Sequence, residues 1–203
     1  MPAAVAKVLP WQTAHMQPTD LHWTTTLAYG RYTHATDVCR TEQEEDPLVW
    51  ARANLQGPFR IYSDWTASER SSVRFYTEAA DQSLLLQHFG HRVGTVRRPF
   101  NTEAEQQLKQ GMNLSVREHL FYHRYRFSMN LHCATGTRQQ LSDWVTDHLG
   151  SDVRRLRLIR GNYRPILYLR DHTDVTLVRL YEPAVIVSLT RAWTWAEIHK
   201  SQP

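Results

Sequence analysis

VRFYTEAADQSLLLQHFGHRVGTVRR, Val73 to Arg98, and ILYLRDHTDVTLVRLYEPAVIVSLTR, Ile166 to Arg191, follow one grammar. Each opens on an apolar and aromatic run, passes an acidic cluster, continues as a short amphipathic block and ends on a second apolar run. Such runs are strand signals, whereas the amphipathic block, closed by Gly90 in the first copy, is a helix signal. An ungapped shift of 93 residues sets Gly57 on Gly150, Phe75 on Tyr168, Glu78 on Asp171, Asp81 on Asp174, Leu84 on Leu177, Val93 on Ile186 and Arg98 on Arg191. One residue more pairs Trp50 with Trp144, Leu55 with Leu149 and Cys39 with Cys133. Few letters agree, but the order and length of the segments recur, which marks a duplicated fold unit.

Working outward, HWTTTLAYGRYTHAT reads as a Thr-rich and aromatic strand. PLVWARANLQG reads as a helix with Asp46 as cap, Pro47 in the first turn and Gly57 as stop. GPFRIYSDW and SSVRFYTE are two strands, ADQSLLLQHFG a helix and HRVGTVRR a strand. NTEAEQQLKQG offers a Thr102–Glu105 capping box and Gly111 as stop. FYHRYRFSMNLHC alternates as a strand, with Tyr125, Phe127 and Met129 on one side and Arg124, Arg126, Ser128 and Asn130 on the other. TGTRQQLSDWVTDHLG is a helix, capped by Thr137 and Gln140 and ended by Gly150. VRRLRLIRG, RPILYLRD, HTDVTLVRLY and AVIVSLTRAW complete the second copy.

The expected class is therefore α+β, with two tandem units of order β-α-β-β-α-β. Each would be an antiparallel sheet with two helices on one face, the ferredoxin-like order. Residues 1–19 form an N-terminal arm with Trp11 as its anchor, residues 20–100 the first unit, 101–114 a linker helix and 115–197 the second unit.

The 203 residues are 41% apolar, a globular composition, with a net charge of +4. Residues 1–99 balance their charges, so the basic excess falls in the second half, and 21 of the 24 basic residues are arginine. Arginine suits bidentate phosphate contacts and stacking. Two cysteines, Cys39 and Cys133, are too few for a disulfide framework, and no apolar run reaches a membrane span. The expectation is a cytoplasmic protein that makes no membrane contact.

The second half resembles the RNA-recognition motif locally. FSMNL, Phe127 to Leu131, is similar to that family's first-strand signature, and ILYLRDHTDVTLVRL to its third strand and second helix. In that family aromatic residues on the central strands stack bases. The resemblance implies Phe127 and Tyr168 as stackers. The alternation of the strand itself turns Phe127 toward the core and leaves Arg124, Arg126, Asn130, Arg155 and Arg157 on the other face, with Tyr168 beside them. Crowded arginines repel one another unless an anion or an acidic partner joins them. A solvated basic face, or one matched within the chain to TEQEED, is the bland alternative.

The expected function is thus non-catalytic binding of RNA or single-stranded DNA by this face. A rival is an assembly component, viral or from a mobile element. ILYL at 166–169 and AVIVSL at 184–189 are apolar on both faces, so the first domain, a second copy or a partner protein should cover that side. A third reading is a metal-independent endoribonuclease using a histidine, similar to CRISPR repeat-processing enzymes in its two ferredoxin-like units but without their glycine-rich terminal loop. His119 and His123 have a metal-capable spacing with no third ligand near, His132 and Cys133 have no placed third group, and no phosphate loop or serine elbow is present. Neither a cofactor nor a metal nor a catalytic set is expected.

Overall fold

The computed structural model describes residues 20–41, 44–63, 72–132, 138–149, 154–157, 165–181 and 186–201. The expected arm with Trp11 lies outside them, as do Cys133, Thr137, Gly150 and Leu158. The chain is mixed α+β with two separate five-stranded sheets. It divides into two compact units: the first takes the chain through Thr24 and again over Tyr32–Arg98, the second takes Thr25–Arg31 and Pro99–Pro203. Among the described residues no helix is long and apolar enough to cross a membrane.

The first unit runs β1 (Asp20–Trp23), β2 (His34–Cys39), α1 (Pro47–Asn54), β3 (Arg60–Ser63), β4 (Ser72–Thr77), α2 (Ala79–Phe89), a 3-10 turn at Gly90–Arg92, and β5 (Val93–Arg98). Its sheet order is β1-β5-β2-β4-β3. The second runs α3 (Thr102–Lys109), β6 (Asn113–Arg117), β7 (Phe127–Leu131), α4 (Arg138–Leu149), β8 (Arg154–Arg157), β9 (Ile166–Leu169), α5 (His172–Tyr181), β10 (Ile186–Thr194) and α6 (Trp195–Ser201). Its order, β6-β10-β7-β9-β8, matches the first. Neither sheet is antiparallel throughout, as the sequence reading had it. An added edge strand lies parallel to the last strand of each unit, β1 on β5 and β6 on β10.

HWTTTLAYGRYTHAT and FYHRYRFSMNLHC, expected as continuous strands, each contain a turn, and β6 lies ahead of the second of them. Tyr29 (φ 53°) and Gly30 (φ 66°), then Tyr122 (φ 49°) and His123 (φ 57°), adopt left-handed backbone. Three of these four are not glycine, and each such residue costs about 1–2 kcal/mol against right-handed backbone. The turns lie in two copies of one motif, L-x-Y-x-R-Y, at Leu27–Tyr32 and Leu120–Tyr125.

Strand register fixes the correspondence of the halves. Thr36 faces Phe75 and Met129 faces Leu167, while Ala35 faces Tyr76 and Ser128 faces Tyr168. Tyr168 therefore corresponds to Tyr76, and Phe75 to Leu167, one place from the ungapped superposition. A bulge recurs as well. Thr36 and Val38 stand opposite Val96 and Val93, and Met129 and Leu131 opposite Leu189 and Ile186, so in both sheets the last strand carries one extra residue.

In each unit both crossover helices cover one sheet face. Trp50 and Ala51 of α1 and Leu85 and Phe89 of α2 pack with Val38, Val73, Phe75, Val93 and Val96. Leu141 and Val145 of α4 and Val175 and Val178 of α5 pack with Phe127, Met129, Leu131, Leu167, Leu169 and Leu189. Phe75 and Phe127 are fully buried. Caps set the helix starts. The Asp46 carboxylate accepts from the Leu48 N–H at 2.9 Å. For α3 the cap is Asn101, accepting from the Ala104 N–H at 2.7 Å, and not the expected Thr102.

Gly57 ends the α1 connection against α2. The buried Asp81 carboxylate accepts from the N–H groups of Gly57 at 3.0 Å and Gln56 at 3.3 Å, and a Cβ on Gly57 would stand 2.6 Å from Asp81 Oδ2. Gly57→Ala should lower unfolding free energy by about 1–3 kcal/mol, the worth of amide bonds to a charged acceptor. Asp81→Ala should cost a similar amount, and the double variant should fall well short of the sum in denaturant titrations. Fully additive costs would show that the two residues are not coupled.

Candidate nucleic-acid interface

The second unit's open sheet face differs from its expected form. Ser128 and Asn130 do alternate against the buried Phe127 and Met129. The Asn130 amide, however, donates to Ser188 Oγ at 2.8 Å. Arg126 donates to Glu197 Oε1 at 2.6 Å, an ion pair to α6, a helix absent from the sequence reading. Tyr168 is 8% exposed. Its ring lies 5.6, 4.9 and 6.3 Å from those of Phe121, Tyr122 and Tyr125. The second apolar face of β9 is thus covered by the chain's own turn, and Tyr168 offers no open ring to a base.

Arg124 remains exposed on that turn, 6.0 Å from the Tyr125 ring centre. Arg155 and Arg157 pair in the backbone with Tyr168 and Ile166 on the outer strand β8, and their side chains lie outside the described residues.

The first unit's open face carries what the second was expected to carry. Register sets His22, Arg97, Ala35, Tyr76 and Arg60 in one row across the five strands, and Asp37, Arg74 and Tyr62 in the next. Arg74 Nε and Nη2 donate to Asp37 Oδ1 and Oδ2 at 2.5 and 2.8 Å, a bidentate fork. These bonds, opposed by partial burial, raise the pKa of Arg74 above the ordinary arginine value, so its charge is permanent. Arg97 Nη1 lies 3.5 Å from Asp37 Oδ2 and makes no hydrogen bond.

The face holds three arginines, Arg60, Arg74 and Arg97, against two aspartates, Asp37 and, on the edge strand beside His22, Asp20. Arg74 and Arg97 each keep about a third of their side chains in solvent, and Arg60 and Tyr62 are exposed. SVRFYT already put Arg74 and Tyr76 on one face by its alternation. The even charge balance of the first half as a whole gives no sign of this local cluster.

The acidic segment ending at Asp46 finds its partners in the first unit. Glu45 contacts His88 at 3.1 Å, Glu44 contacts His91 at 3.2 Å, and the buried Arg92 lies 3.2 Å from Glu44 and donates to the Cys39 and Glu45 carbonyls. These contacts occupy His88 and His91. The His119 and His123 rings lie 4.7 Å apart. Among the described residues no three His, Cys, Asp or Glu side chains are grouped to hold a metal.

Glu197 links Arg126 to the end of β10. Burial disfavours its charge, but the Thr194 N–H at 2.9 Å and Arg126 outweigh burial and lower its pKa. A carboxylate with a depressed folded pKa contributes stability above its unfolded pKa and loses it as pH falls through the folded value. Glu197→Gln should therefore lower stability at neutral pH and flatten the loss of stability on acidification, as read by denaturant midpoints from pH 7 down to the folded pKa. An unchanged acid slope would rule this group out as a contributor. No family model matches the sequence, and no curated protein is significantly similar to it.

Proposed function

We propose that this is a non-catalytic binder of RNA or single-stranded DNA, built from two tandem ferredoxin-like units that each carry one added edge strand. The observation that supports this reading best is the first unit's open face, where Arg60, Arg74 and Arg97 surround Tyr62 and Tyr76. Tyrosine rings on a sheet stack bases that are not paired, and arginines beside them meet phosphates. A duplex hides its base faces, so the ligand is single-stranded. The Asp37 carboxylate orients Arg74 and reduces the net charge of the face, where three arginines outnumber Asp37 and the edge-strand Asp20 by one. In the second unit Arg124, together with Arg155 and Arg157 on β8, is the remaining basic contact.

The test is fluorescence anisotropy with labelled oligo-U and oligo-dT across a salt series. Wild-type affinity should fall steeply with salt. Each lost phosphate contact reduces the log–log slope by about 0.7 for a single strand. Arg60→Ala with Arg97→Ala should therefore flatten the slope by about 1.4. Tyr62→Ala should weaken binding by about 1–3 kcal/mol with little change in slope. Asp37→Asn should destabilise the fold and yet tighten binding, because it removes the anion that lies between Arg74 and Arg97. Wild-type binding that is absent, or indifferent to salt, overturns the reading.

A second reading, subunit assembly, is favoured by α5, where Leu180 is 76% exposed next to the exposed Tyr181. It requires a molecular mass that rises with protein concentration and is insensitive to salt. Leu180→Lys would abolish that rise.

A further inference from the structure

The two units treat one edge of their sheets differently. Register makes Leu21 the counterpart of Met112 and Arg98 the counterpart of Arg191. Leu21 stands opposite the core residue Val96, on the helix side of the first sheet, and Arg191 stands opposite Phe127, on the helix side of the second. In the second unit α3 covers that edge. Glu103 of α3 pairs with Arg191, and Gln107 Oε1 accepts from Trp193 Nε1 at 3.1 Å. Ala104 and Leu108 of α3 are fully buried, Met112 is 3% exposed and Arg191 is buried. In the first unit Leu21 is 40% exposed, and Arg98 is exposed as well. Among the described residues no helix precedes β1. The helix side of a sheet is an apolar face that folding buries, so Leu21 lacks the cover that Met112 has.

The segment ahead of β1 has the composition for that task. α3 is eight residues long and ends three residues before β6. Residues 10–17, PWQTAHMQ, are also eight and end two residues before β1. Pro10 suits a first helical turn, and Pro18 follows where a helix would stop. Trp11 and Ala14 repeat the three-residue spacing of Ala104 and Gln107 on the buried side of α3. A two-residue connection spans about 7 Å at most, which holds the segment near the start of β1, where Leu21 is the second residue. Of the two faces there, the open one carries Asp20, His22 and Arg97, and the other carries Leu21 and Val96. The apolar pair Trp11 and Ala14 matches the second. Residues 1–19 contain no acid, so nothing in them repeats the contact of Glu103 with Arg191, in keeping with the exposure of Arg98.

We propose that residues 10–17 are the first unit's counterpart of α3, a helix that lays Trp11 and Ala14 over Leu21 on the helix side of β1 and β5. The cover is supplied by the chain itself, and it leaves the open face of Arg60, Arg74 and Arg97 clear. It goes beyond the nucleic-acid reading and does not depend on it.

The experiment uses the full chain and combines thermal unfolding, hydrogen exchange and mass measurement. Trp11→Ala should lower Tm by roughly 4–8 °C. Leu21→Ala should lower it as well, and the double variant should fall clearly short of the sum, because each change removes the same contact. Amides of residues 14–17 should exchange slowly in the wild type and quickly in Trp11→Ala and in Ala14→Pro. An unchanged Tm in Trp11→Ala, additive losses, or fast exchange of those amides in the wild type would overturn the proposal. A doubled mass with a Tm that rises with protein concentration would show that the segment covers a second copy, and would overturn it too. Anisotropy with oligo-U separates this from the function proposed above. Trp11→Ala should leave that affinity unchanged, and a loss of affinity would put the segment on the open face instead.

Discussion

Each sheet must bury one face and dispose of the other, and the rest of the architecture follows from that constraint. Phe75 and Phe127 sit fully buried under their helix pairs, and alternation then fixes which side chains face away. A slip of one residue in any of these strands would send the phenylalanines to the outside and arginines inward. The bulge repeated in β5 and β10 lies inside this constraint, since it lets Val93 and Val96, and likewise Ile186 and Leu189, both line up with core positions of the neighbouring strand despite the odd spacing.

The two units dispose of the outer face by different means. Asp37 corresponds in register to Asn130, Arg74 to Ile166 and Arg97 to Thr190. Where the first unit has a carboxylate between two guanidinium groups, the second has an amide bonded to a serine beside an aliphatic side chain. The second face is accordingly drier, and Phe121, Tyr122 and Tyr125 cover Tyr168. The two units thus share their core arrangement and differ on their outer faces, as expected when packing constrains one side of a sheet more than the other.

Period-two and period-3.6 patterns carried the element order from the sequence, because the alternation of SVRFYT and of FSMNL is imposed by core packing that leaves apolar residues at every second place. The edge strands, the left-handed turns and α6 were not legible. Tyr122 and His123 are residue types that carry no turn signal, and parallel pairing of β6 with β10 joins segments more than seventy residues apart. Of the anticipated surface residues, Arg124 is exposed on a turn, and Arg126 lost its independence to Glu197, a partner that exists only once α6 folds back. Charge summed over half the chain conceals the first unit's arginines, because charge acts within about 10 Å at ordinary salt.

That range also bears on how the first face works. Asp37, on the central strand β2, neutralises part of the positive charge of the face while it holds Arg74. Three guanidinium groups without it would repel across neighbouring strands and leave Arg74 without a rigid orientation. With it, Arg74 is held by a two-point fork and Arg97 by a looser contact at 3.5 Å, with one nitrogen unbonded. Folding therefore fixes Arg74 more tightly than Arg97. The ordering cost of Arg74 has thus been met by folding, within the same network that holds β2 to β4.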